Sequence, residues 1–157
     1  MNLLPFLRQG PNAIARIYGN PNYPELDGTI KFFSTNIGTI VISEVSGLPE
    51  NNDKCRQPVF AFHIHSGGTC SGDDSDFFAN ALTHYNPNSC PHPYHAGDMP
   101  PLFSASGLAF SAFLTDRFSI DEIIGKTVII HDLPDDFTTQ PSGNSGTKIA
   151  CGVIEEY

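Results

Sequence analysis

Positive charge is scarce in this chain. Its 157 residues hold eight lysines and arginines against 17 aspartates and glutamates, a formal net charge of −9. No basic stripe is present, which argues against nucleic acid or an anionic membrane as a partner. No apolar run approaches the ~20 residues of a membrane-spanning helix. No CxxC pair occurs, so a thiolate zinc knuckle has no ligands. Internal repeats and a second domain are also missing, leaving one domain over residues 1–157. Met1 to Gly10 lacks a basic leader, a sustained apolar core and a small-residue cleavage site. The expectation is therefore a cytoplasmic protein, with an exported form left open.

What the chain does have is 12 Phe, 14 Gly and 13 Pro among many Thr, Ile and Val, a composition of short strands and frequent turns. Alternating or β-rich segments predict strands at Ala13–Tyr18, Asp27–Ser34, Thr39–Ser46, Val59–His65, Leu108–Thr115, Thr127–His131 and Lys148–Ile154. Asn36–Gly38 suits a hairpin turn, and Ser119–Ile124 a single helical turn. Two long polar loops remain, at residues 66–102 and 131–147. Long loops in compact domains are usually functional or disordered. About eight strands with two such loops predict an all-β sandwich or barrel.

The six histidines sit at 63, 65, 84, 92, 95 and 131, all in ligand-like spacings. His63 and His65 lie two apart on a predicted strand, so both rings leave one face, ~6.6–7 Å apart at the backbone. His92, His95 and Asp98 recur at intervals of three in a Pro-rich loop, supplying three of the four ligands of a tetrahedral zinc site. Imidazole has two nitrogens, so one histidine can serve two metals.

These motifs resemble the copper/zinc superoxide dismutase family in its bacterial form. The resemblance rests on Phe-His63-Ile-His65, Thr-His84-Tyr-Asn-Pro, His92…His95-Ala-Gly-Asp98-Met-Pro, Val-Ile-Ile-His131-Asp and Gly143-Asn-Ser-Gly-Thr-Lys148-Ile-Ala-Cys151-Gly-Val-Ile. They occur in consistent order from about residue 13 to 154. The resemblance implies an eight-stranded Greek-key fold. It implies copper on His63, His65, His84 and His131, and zinc on His84, His92, His95 and Asp98, with His84 as the bridge. Asp135 would hold a copper histidine and a zinc histidine from outside the metal sphere; Asp136, next to it, is easily confused with it. The implied cycle is ping-pong. One superoxide reduces Cu(II) and leaves as oxygen while His84 releases copper and takes a proton. The next oxidises Cu(I), receives protons from His84 and solvent, and leaves as hydrogen peroxide.

Two departures bear on rate. The family orients its anionic substrate with an arginine in the closing motif, and here Lys148 takes that position, keeping charge but losing the planar fork. The loop before it carries Asp132, Asp135 and Asp136 and no cation, where the family commonly has lysines, so weak steering is expected. They leave room for a rival, a copper storage or delivery protein or a catalytically silent zinc-stabilised domain of the same fold.

The resemblance also implies a Cys70–Cys151 disulfide, closing a loop of about 80 residues and worth about 4 kcal/mol in the chain-entropy model. Cys55 and Cys90 are then left over, and a second bridge between them is the expectation, against two free thiols. The short segment from His65 to Cys70 and the charged ending Glu155-Glu156-Tyr157 speak against the eukaryotic type of dimer. A monomer or another dimer is expected.

Overall fold

The computed structural model describes residues 5, 8–53, 55 and 58–157. Much of the N-terminal stretch considered above as a leader, and part of the polar loop from Glu50 to Pro58, lie outside the described residues. Nine strands appear among those described: β1 (Ala13–Gly19), β2 (Asp27–Thr35), β3 (Gly38–Ser46), β4 (Val59–Phe60), β5 (Phe62–His65), β6 (Leu102–Phe103), β7 (Ala109–Thr115), β8 (Thr127–His131) and β9 (Lys148–Glu156). One helical turn, α1 (Ile120–Ile123), precedes β8. The Glu122 carboxylate accepts the Ser119 backbone N–H at 2.8 Å, which closes the start of that turn.

Seven strands form one antiparallel sheet in the order β5-β8-β9-β1-β2-β3-β7. The remaining pair, β4 with β6, ties its two edges together, since β4 runs into β5 and β6 leads to β7. The sheet therefore curls toward closure. Val59–His65, expected as one strand, is divided at Ala61. The Ala61 N–H donates to Leu133 O and its carbonyl accepts the His131 N–H, both at 2.9 Å, so this residue pairs with the chain leaving β8.

Strand alternation separates two environments. Phe62, Ile64, Val128, Ile130 and Ala150 point into the main core with Ile30, Phe32 and Leu102. Ile129 and Cys151 point the other way, under a small cluster with Phe78 and Ala81. Every residue of β5 and β8 is buried, although only one face meets the main core. The two long loops cover the other face, and that covered face is where the histidines lie.

The expected Cys70–Cys151 disulfide is present and spans 81 residues. The expected Cys55–Cys90 bridge is not formed: Cys55 is an exposed free thiol and Cys90 a half-buried one. Each is held in its own turn, Cys55 by its N–H on Asp53 Oδ1 at 2.9 Å. Cys90 is held by reciprocal bonds with the Asn86 side chain at 2.8 and 3.0 Å.

Candidate metal centre

His63 and His65 leave the covered face of β5, as their spacing requires. The loop after β5 folds back along the free edge of that strand. The Tyr85 N–H donates to Ile64 O at 2.8 Å, Ile64 N–H to Gly97 O at 2.9 Å, and Gly97 N–H to Tyr85 O at 2.8 Å. This register sets His84 opposite His65 and Asp98 opposite His63. Gly97 is required at the crossing, because a Cβ there would sit 2.2 Å from Ile64 O. His131 arrives from β8, where β9 carries one extra residue opposite the step from Ile130 to His131. Such a bulge re-aims the side chains beside it.

Two ligand groups result: His63, His65, His84 and His131, and His84, His92, His95 and Asp98. Within each, the four ligand atoms lie within 4.8 Å of one another, and all seven residues are buried. In the second group, His84 Nδ1 is 2.7 Å and His95 Nδ1 3.4 Å from Asp98 Oδ1. His92 Nδ1 is 3.0 Å from Asp98 Oδ2, and His84 and His95 Nδ1 are 3.4 Å apart. A tetrahedron with ~2.0–2.1 Å bonds needs ligand atoms ~3.3 Å apart, so three nitrogens and one oxygen here suit zinc. The first group is all nitrogen, a set that suits copper.

Outer contacts settle which ring nitrogen faces inward. His63 Nε2–H donates to Asp135 Oδ2, and His92 Nε2–H to Asp135 Oδ1, both at 2.8 Å. That leaves His63 Nδ1 and His92 Nδ1 buried without a hydrogen-bond partner, and His84 Nε2 is in the same condition. His65 Nδ1–H donates to Leu82 O at 2.9 Å, which turns its Nε2 to within 3.3 Å of His131 Nε2. Orphaned buried lone pairs converging on two points are costly unless a cation fills each point. The residues present therefore fit two metal ions, with His84 presenting Nδ1 to one and Nε2 to the other.

Burial, reinforced by neighbouring imidazoles, holds His65 and His131 well below their ordinary value. Both are neutral rings at pH 7, as ligation demands. Asp135 behaves oppositely. Burial pushes it up, but the His63, Phe137 and His92 hydrogen bonds outweigh burial and bring it down to about 2. Asp136 is not its equivalent: it is exposed and caps a turn through the Thr138 and Thr139 N–H groups at 2.9 and 2.8 Å.

Three residues shape the site: Arg117 and Gln140, which sequence reasoning did not single out, and Gly143, which it named only within a motif. Arg117 Nη1 lies within hydrogen-bond reach of Pro93 O, His95 O and Asp98 O at 3.0, 3.3 and 3.3 Å, gathering the zinc loop. Gln140 pins the His92 backbone, donating to its carbonyl at 2.7 Å and accepting its N–H at 2.9 Å. Gly143, at φ +70, leaves the space in which Asp135 reaches His92. A Cβ there would lie 1.9 Å from Asp135 Oδ1 and 2.7 Å from His92 Nε2. Gly143→Ala should therefore break the Asp135 bridge and weaken zinc binding by about 10–100-fold, as read by competition with a chelating dye. Unchanged affinity would show that Asp135 does not orient the ligands.

Lys148 pairs with His131 across β8 and β9. Its Nζ donates to Asp76 Oδ2 at 2.7 Å and Phe78 O at 3.2 Å.

Comparison with known proteins agrees with this geometry. The copper/zinc superoxide dismutase family model matches residues 26–154. A Cu-Zn superoxide dismutase of Aquifex aeolicus is 32% identical over 145 residues, covering 83% of this chain and 80% of the relative. The Photobacterium leiognathi enzyme is 32% identical over 142 residues, covering 82% and 78%. The Cu/Zn superoxide dismutase of Brucella abortus superposes with a TM-score of 0.75 at 22% identity, covering 91% of this chain and 99% of its own, so the curled sheet has that protein's fold. On the family match and these identities, the chain belongs to the copper/zinc superoxide dismutase family.

Proposed function

We infer that this chain removes superoxide by dismutation, two superoxide anions and two protons giving one oxygen and one hydrogen peroxide. The observation that carries the reading is His84, placed between two complete ligand groups with one ring nitrogen for each. Copper on His63, His65, His84 and His131 supplies one-electron chemistry between two oxidation states, and zinc on His84, His92, His95 and Asp98 supplies fixed positive charge.

The protein's own part is positioning and proton handling. Asp135 fixes His63 and His92 through their Nε2–H groups, so neither ring can turn its lone pair away. Leu82 O fixes His65 in the same manner. His84 Nδ1 is committed to the zinc side, which leaves Nε2 as the nitrogen that can hold a proton and hand it to the departing peroxide. Because Nε2 is buried and otherwise unpartnered, the proton goes to a group inside the site.

The test is product balance. Protein loaded with both metals should consume two superoxide per peroxide and per oxygen formed, while protein loaded with zinc alone should be inert. Bound copper without accelerated loss of superoxide would favour storage or delivery.

Charge should help little in bringing substrate to the site. The chain carries −9, residues 132–147 contain no lysine or arginine, and Lys148 is already paired. The rate should change by no more than about twofold between low and physiological salt; a steep fall with salt would contradict weak steering. We also propose that the chain is a monomer, or a dimer of other than the eukaryotic type, because Glu155 and Glu156 at the end of β9 are exposed. Neither nucleic acid nor a membrane is proposed as a partner.

A further inference from the structure

We propose that Asp76 is a positioning residue that takes the Lys148 charge away from the anionic substrate and thereby sets how strongly the copper site attracts anions. The proposal rests on the dismutase reading for its substrate, but its geometry stands alone. Lys148 lies beside His131 in the β8–β9 register, yet its ammonium is turned to the loop that follows β5. There it meets the Asp76 carboxylate at 2.7 Å and Phe78 O at 3.2 Å. An ammonium has three N–H donors. Two are spent on this loop, leaving one for an incoming anion.

Asp76 is itself held. Its other carboxylate oxygen accepts the Phe78 N–H at 3.0 Å. Its carbonyl accepts the Asp73 and Ala79 N–H groups at 3.1 Å, and its own N–H donates to Asp73 Oδ1 at 3.2 Å. The Cys70–Cys151 disulfide anchors the same loop to β9. The carboxylate is thus presented to Lys148 by a braced turn and does not merely drift near it. The Lys148 side chain is 14% exposed and that of Asp76 39%, so solvent screens the pair only in part. A close pair of opposite charges acts at a distance as a weak dipole, and the attraction of a free cation is lost.

Three other cations of the described chain are engaged elsewhere. Arg117 is engaged by the zinc-loop carbonyls, Lys126 lies over the Tyr85 ring, and Lys31 pairs with Glu44.

Four variants of the copper- and zinc-loaded protein test this: Asp76→Asn, Lys148→Gln, the double variant, and Asp74→Asn. The last removes one exposed charge from the same loop and controls for net charge. Two readouts apply: superoxide decay against ionic strength, and azide affinity from the copper(II) absorption spectrum. Asp76→Asn should raise the low-salt rate about fivefold, make it fall with added salt, and tighten azide binding by a similar factor. Lys148→Gln alone leaves the Asp76 carboxylate uncompensated and should weaken azide binding by a similar factor; in the Asp76→Asn background it should abolish the gain. The proposal is overturned if Asp76→Asn leaves salt dependence and azide affinity at their original values. It is also overturned if Asp74→Asn matches its effect, or if the gain of Asp76→Asn survives in the double variant that also lacks the Lys148 charge. Azide binding needs no turnover, so an inactive protein whose azide affinity follows this pattern would sink the dismutase reading and leave the role of Asp76 standing.

Discussion

Stripped of both metals, the protein should melt about 20 °C or more below its loaded form. A structural zinc contributes on the order of 10 kcal/mol at pH 7, and each kcal/mol moves the midpoint of a chain this size by roughly 2–4 °C. The physical reason is local. His63 Nδ1, His84 Nε2 and His92 Nδ1 are buried without hydrogen-bond partners, and His65 Nε2 lies 3.3 Å from His131 Nε2. Without cations, nothing offsets the burial of these lone pairs. The loops that cover β5 and β8 are held partly through the same residues. The stripped protein should also be acid-sensitive in a defined window. Burial lowers His63, His65, His95 and His131 below the ordinary value of 6.5. Between those lowered values and 6.5 the unfolded chain binds more protons than the folded one, so stability rises with pH. It is fully present above 6.5 and is lost as pH falls toward the folded values. Asp135 adds a lower window, its contribution being lost from 3.8 down to about 2. Calorimetry of the loaded and stripped forms at pH 7.5, and of the stripped form at pH 5.5, checks both statements. A midpoint unmoved by metal removal would contradict the assignment of the orphaned nitrogens to metal ions.

Replacing His84 by alanine should be the most damaging single change to activity. It takes one of four ligands from each group and removes the nitrogen that hands over a proton. Loss of positioned proton transfer alone costs about 10²–10⁴-fold, and loosened metals add to that. His95→Ala, in contrast, should weaken zinc while leaving four nitrogens for copper. Metal content and superoxide decay, measured on both variants, separate the cases. Equal retention of copper and rate in His84→Ala would show that the two groups do not depend on a common ring.

The metal ligands were legible in the sequence because ligand chemistry leaves short-range spacing. His63 and His65 are two apart on a strand, and His92, His95 and Asp98 recur by threes in one loop. The strands were legible for a similar reason, since alternation survives wherever one face meets the core. Contacts between distant segments left no such trace. Arg117 reaches carbonyls 19–24 positions away, and Gln140 pins a histidine 48 positions away. Asp76 meets Lys148 across 72. Nothing beside these residues in the chain marks them out. Gly143 was visible within a motif, but its purpose, room for Asp135, depends on a side chain eight positions earlier turning back toward it. The division of Val59–His65 at Ala61 was hidden in the same manner, because it depends on the chain beyond β8. Cys55 and Cys90 show the reverse error. An even cysteine count invites pairing, but their turns hold them apart.

One spectroscopic measurement bears most directly on the claim that a single imidazole joins the two sites. Cobalt(II) is placed in the zinc group, copper(II) in the other, and the copper electron paramagnetic resonance signal is recorded. If His84 bridges the sites, its ring couples the two spins, and the copper signal should collapse on cobalt loading and return when zinc replaces cobalt. A copper signal of unchanged shape and intensity with cobalt bound would mean that the sites do not share His84, and the account of proton delivery built on it would fall.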